Sequence, residues 1–184
     1  MRRTKIRIAH MSEDLNVLFG TPRLPEKVDD WERGRTPESL SVLNNGLATT
    51  LCELGKLAQT KLMRYALRAK SYIWAMDENG KIVLAVEELA IEKPETIYPG
   101  YPRRRGLRHP SEDKKLGHPT LIGEGPARIA GELAFDEDDK DELRWVLNAN
   151  SGRYCKQKPP EKAQIDRIAT RFRELGVDVV VDYD

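Results

Sequence analysis

The chain has 184 residues, with 31 Lys and Arg against 30 Asp and Glu, for a formal net charge of +1. That length suits one domain with a sizeable core, and the near-neutral balance removes any global electrostatic pull toward nucleic acid or an anionic membrane. The composition, 33% charged and 39% hydrophobic, is that of a globular chain with a well-solvated surface, and its apolar runs are too short to span a bilayer.

The opening residues, MRRTKIRIAHMSEDLN, are basic but hold neither an apolar stretch nor a small-residue cleavage site. No standard signal peptide is expected, which places the protein in the cytoplasm or has it delivered into a target cell by another route. Cys52 and Cys155 lack CxxC spacing, which suits two isolated thiols in a reducing compartment, with one long-range disulfide as the alternative.

Residues 4–8 alternate polar and apolar, as a short edge strand would. From 11 to 35 the glycines and prolines at Gly20, Pro22, Pro25 and Gly34 interrupt every periodic run, so this segment reads as an extended arm pinned to the body by Trp31. Thr36-Pro37-Glu38 is a helix-start signal. Leu47, Leu51, Leu54, Ala58, Leu62, Tyr65 and Ala69 then recur at helical spacing and predict one long helix over 37–69. Its remaining surface carries Lys56, Lys61, Arg64, Arg68 and Lys70, either a solvated face or a basic docking element.

Two β-prone runs, 71–77 and 81–87, flank Asn79-Gly80, the signal for a hairpin closed by a type I′ turn. The stretch 92–116 is rich in Pro, Gly and charge and reads as one long loop, with Tyr98 and Tyr101 beside Arg103, Arg104 and Arg105. Such a loop could take a phosphate or a nucleotide-like ligand. Nucleic-acid binding is disfavoured by the neutral whole. A second antiparallel pair is expected from 127–135 and 142–147, across an acidic turn at 136–141 that lacks the glycine and terminal glutamate spacing of a calcium loop. No metal site is expected. Pro159-Pro160-Glu161 opens a last helix with its stripe at Ile165, Ile168, Ala169, Phe172 and Leu175. Gly176 closes it, and Val177, Val179 and Val181 follow as a terminal strand.

These elements predict an α+β fold in a single domain over 1–184, an antiparallel sheet built from two hairpins and covered on one face by two main helices, 37–69 and 160–175. Residues 1–35 form the arm, 36–69 the helical part and 70–184 an α+β module.

The densest segment is Gly117–Leu133, GHPTLIGEGPARIAGEL, followed by Ser151-Gly152-Arg153-Tyr154. Its glycines and prolines imply backbone held in special conformations. Read as an active site, it offers His118 as a general base, Thr120 or Ser151 as a hydroxyl, Glu132 as an orienting carboxylate and Tyr154 as a stacking or proton-donating group. Read as structure, the same residues cap strand ends, make turns and close the core. Ser151 and Arg153, with the three loop arginines, are the candidate ligand-binding residues.

In order and spacing, residues 70–184 resemble the C-terminal module of the plant IQ-motif calmodulin-binding family and related bacterial modules of the polymorphic-toxin type. The family's His-Ser-Ser-Phe-Leu-Ala-Gly-Gly run stands here as His118-Pro119-Thr120-Leu121-Ile122-Gly123-Glu124-Gly125. Its Ala-Ala-Gly step is Ile129-Ala130-Gly131, its Ser-Gly-His-Tyr is Ser151-Gly152-Arg153-Tyr154, and its closing Val-Asp-Leu is Val177-Asp178-Val179. Arg153 replaces a histidine and Pro119 a serine, and Met63-Arg64 stands where an IQ motif has Arg-Gly, so calmodulin binding does not carry over. The resemblance implies a bacterial effector-type or accessory domain that binds a protein or a small nucleotide-like ligand through 98–131. The alternative is a toxin-like transferase, similar to ADP-ribosyltransferases, acting through His118 and Glu132. The cofactor is left open.

Overall fold

A computed structural model describes residues 14–90, 101–102, 114–138 and 140–183. A short helix α1 (14–19) is followed by an irregular arm and by β1 (Ser41–Val42), α2 (Asn45–Leu57) and α3 (Lys61–Arg68). The hairpin β2 (Tyr72–Asp77) and β3 (Ile82–Val86) comes next, then three two-residue strands, β4 (Glu88–Leu89), β5 (Tyr101–Pro102) and β6 (Lys115–Leu116). A 3₁₀ segment, His118–Ile122, leads into β7 (Ala127–Glu137), β8 (Leu143–Leu147), α4 (Lys162–Glu174) and β9 (Val179–Val181).

The fold is α+β, as the sequence predicts, but the sheet is larger than two hairpins. Its order is β1-β3-β2-β7-β8-β9, and β9 lies parallel to β8 while the other pairs are antiparallel. A parallel neighbour needs a crossover, and α4 supplies it. Gly176, at φ 88°, turns the chain out of α4, with Val177 N donating to Phe172 O at 3.1 Å. A small second sheet, β5-β4-β6, joins the two ends of the stretch expected as one open loop.

Register explains the core. Trp74 lies opposite Gly131, and Phe135 opposite Trp145, all at positions of one parity and therefore on one face. The Trp145 ring meets Tyr72 and Phe135 edge-on, with centroids 5.5 and 5.4 Å away, and its Nε1 donates to Leu51 O of α2 at 3.1 Å. Cys52 on α2 donates to Gly176 O, so α2 and the end of α4 meet beside this cluster. Residues of the other parity, Ile73, Ala75, Val83, Ala85 and Ala130, are 5% exposed or less. The central strands are thus buried on both faces.

Three expectations need correction. The long helix over 37–69 is two helices preceded by a strand. Ser41–Val42 pairs with β3, Asn44 rather than Thr36 caps α2 by accepting from Leu47 N at 3.0 Å, and Thr60 breaks the run in extended conformation. The stripe ends there: Leu62 and Tyr65 are 79% and 78% exposed. The hairpin is present, but of Asn79-Gly80 only Gly80 takes a positive φ, 82°. Asp77 Oδ1 accepts from Asn79 N and Lys81 N and closes a three-residue loop instead of a type I′ turn. The arm begins with helix α1, and Trp31 does pin it, donating Nε1 to Lys115 O at 3.1 Å. The strand expected at 4–8 lies outside the described residues.

Candidate functional site

The Gly117–Leu133 block folds as a 3₁₀ turn running into the longest strand. Gly117 is approached by the arm: its N donates to Glu32 Oε1 at 3.0 Å, and a Cβ there would stand 2.7 Å from that oxygen. Gly123 and Glu124 turn the chain at φ 59° and 64°, and Glu124 Oε1 accepts from Gly34 N at 2.8 Å. Gly131 is a true close approach. A Cβ on it would lie 2.0 Å from Asn148 O and 2.7 Å from Ala149 Cα, where the chain leaves β8 across the strand.

Three successive carbonyls of β7 are each capped by a side chain from elsewhere. Cys155 Sγ donates to Ala130 O at 3.3 Å, His118 Nε2 to Gly131 O at 2.9 Å and Trp74 Nε1 to Glu132 O at 3.1 Å. A carbonyl can only accept, so Nε2 of His118 carries the proton and the ring is held in that tautomer. Burial pushes the His118 pKa down to about 4, against the opposing pull of Gly131 O and Glu87. The imidazole is neutral at pH 7. Two hydroxyls make similar bonds: Thr120 Oγ1 donates to Gly117 O at 2.8 Å and Tyr154 OH to Gly125 O at 2.8 Å. Burial raises the Tyr154 phenol above its usual pKa and the Cys155 thiol likewise, so neither ionises readily.

The candidates thus stand in different surroundings. His118, Thr120 and Tyr154 are buried and Glu132 is exposed. Glu132 is one position on from Gly131 and so on the opposite side of the strand. Arg153 faces inward: Nη1 donates to Lys27 O at 2.9 Å, and Nη2 reaches Asp29 and, at 3.4 Å, Glu32. Hydrogen bonds from Lys27 and then Arg153 hold the Asp29 carboxyl below its usual pKa. Ser151 is 3% exposed and its Oγ has no hydrogen-bond partner among the described residues. Arg103, Arg104, Arg105 and Tyr98 lie outside the described residues.

The chain matches no protein-family model, no curated protein and no solved structure. Among the described residues no helix is long and apolar enough to cross a membrane.

Sequence reasoning missed the two charge centres that position this block. One is the Asp29, Glu32 and Arg153 group. The other is Arg128, 1% exposed. Its Nε and Nη2 donate to Glu78 O at 3.0 and 2.8 Å, and its Nη1 to Asn16 Oδ1 at 2.6 Å and Gly20 O at 2.7 Å. These acceptors are neutral, and burial lowers its pKa against the opposing charges of Asp77 and Glu78. Arg128 follows Pro126-Ala127 in the sequence like any strand residue, and no spacing marks it as the clamp between α1 and the β2–β3 turn.

Proposed function

We propose that this chain is a binding module, an effector-type or accessory domain that engages a protein or small ligand through the region 98–131. The supporting observation is where the polar groups of the block are used. His118, Thr120 and Tyr154 each donate to a main-chain carbonyl of the Gly117–Gly131 segment itself. A base or hydroxyl in catalysis must reach a substrate proton or carbon, and these groups instead fix the shape of the backbone that carries the recognition loop. The biological setting of this reading rests on the resemblance of residues 70–184 to effector and toxin-type modules, read from the sequence alone. A protein or nucleotide-like partner fits it, and the loop arginines would supply the anion contacts.

The test sets stability against activity. His118→Ala should lower the thermal midpoint by several degrees, because it uncaps Gly131 O in a buried site, while Glu132→Gln should leave it in place. The wild-type protein should release no nicotinamide from NAD. Turnover of NAD by the wild type that Glu132→Gln abolishes with an unchanged melt would overturn the binding-module reading in favour of the transferase.

A further inference from the structure

We infer that the cavity beside the Ser151–Tyr154 turn is a second binding site, built for a flat organic anion that carries hydroxyls, of nucleoside-monophosphate size. The cavity measures about 330 Å³, within the range of small-molecule sites. None of its lining residues belongs to 98–131, so its test reads a different set of side chains from the module's main surface.

Three observations converge on it. The first is Ser151, a wall residue that is 3% exposed, whose Oγ bonds to nothing among the described residues. Its backbone is fully used, with N donating to Ala149 O and O accepting from Cys155 N, both at 2.9 Å. A buried hydroxyl left unpaired is costly, and native proteins seldom keep one. As it stands the hydroxyl is enclosed, and occupancy of the site would need a change between staggered χ1 rotamers to bring it to the space its own residue lines. A ligand oxygen there completes it.

The second is the shape of the walls. Pro159, Pro160 and Ile165 line the cavity with the Tyr183 ring. That ring is fixed from outside, since its hydroxyl donates to Asp166 Oδ1 and the Lys162 ammonium sits 4.5 Å from its centroid. Pyrrolidine rings and a held aromatic ring make flat apolar surfaces suited to a planar heterocycle. The third is the pairing of charges. Lys156 lines the cavity as a cation for a phosphate or carboxylate, and Asp182 lines it as an acceptor for ligand hydroxyls. A bare anion would find the carboxylate repulsive, whereas a sugar phosphate uses both groups. Cys155 is also in the wall, but its thiol donates to Ala130 O and burial raises its pKa. The site therefore binds without covalent chemistry.

The experiment titrates AMP, UMP, benzoate and inorganic phosphate into the isotope-labelled protein and follows backbone amide resonances. AMP or UMP should shift residues 149–156 and 182–183 saturably. Ser151→Ala should weaken that binding about tenfold, the loss of one ligand hydrogen bond, while its melting temperature stays the same or rises because an unpaired hydroxyl has gone. Lys156→Glu should weaken it at least as much. The inference is overturned if neither nucleotide shifts these residues at millimolar concentration, or if Ser151→Ala binds like wild type. Equal saturation by benzoate, a flat anion without a hydroxyl, overturns the need for ligand hydroxyls, and equal saturation by phosphate alone overturns the need for a flat body.

Discussion

Nη2 of Arg153 stands 3.4 Å from Oε2 of Glu32, a residue with 0% exposure. Glu32 also accepts from Asp29 N at 2.7 Å and Gly117 N at 3.0 Å, so one carboxylate ties the arm, the head of the 3₁₀ turn and the Ser151–Tyr154 turn together. Removing either charge weakens the group, but the two losses are unequal. Glu32→Ala leaves two amides without their acceptor, while Arg153 keeps its pairing with Asp29, and each unmet buried donor should cost about 1–3 kcal/mol. Arg153, with its side chain 23% exposed, leaves a gap that water can enter, so Arg153→Ala should cost less. Urea denaturation of the two variants checks the order.

The neutral His118 makes stability depend on pH. Its folded pKa of about 4 lies below the ordinary 6.5, so the native state binds fewer protons than the unfolded chain between these values. The stabilisation is complete above pH 6.5, declines as pH falls from there toward 4, and is gone below it, a total of about 3 kcal/mol. Carboxylates such as Asp29, whose pKa is lowered, act in a more acidic window. The comparison that isolates His118 is therefore pH 7 against pH 5: wild type should lose stability between them, and His118→Ala should lose markedly less.

Gly131→Ala should fail badly while Gly152→Ala passes unnoticed. The added methyl at 131 would meet the backbone of Asn148 at 2.0 Å, and at 152 it meets nothing within 4 Å. Backbone cannot swing aside as a side-chain tip can, so the first substitution should cost about 3 kcal/mol or more. The second should stay within about 0.5 kcal/mol. Thermal melts of the pair decide it.

Arg128→Leu should release α1 from the body. The substitution orphans Glu78 O, Gly20 O and the Asn16 side chain at once, and the expected loss is several times the ~1–3 kcal/mol of one unmet buried acceptor. Hydrogen exchange should speed up first at 14–20 and at the β2–β3 turn. Uniform protection across the chain would show that the clamp is dispensable.

What could be read in advance follows from how local each signal is. The Asn79-Gly80 hairpin, the α4 stripe and Gly176 as its stop are written in adjacent residues, and all three are present. The turn type was missed because Asp77, two residues before Asn79, takes the amides of Asn79 and Lys81. The helix over 37–69 was overextended because Leu62 and Tyr65 keep the spacing of a buried stripe while facing solvent. β1 depends on partners at Val83 and Leu84, some forty residues away, where no window reaches. In the candidate site, His118 and Tyr154 carried the right residue types for chemistry. Their actual bonds, to Gly131 O and Gly125 O, belong to backbone geometry that composition does not encode.

The arm has one consequence for how this chain comes into being. Its anchors all lie far downstream: Trp31 on Lys115 O, Arg23 on Ala127, Glu26 on Arg153 and Leu18 O on Arg167. A ribosome releases residues 14–32 long before any of these berths exists, so during synthesis the first part of the chain waits undocked while the hairpin and then β7 emerge. Contacts of such long sequence separation are slow to close. The arm can therefore dock only after these downstream elements have formed.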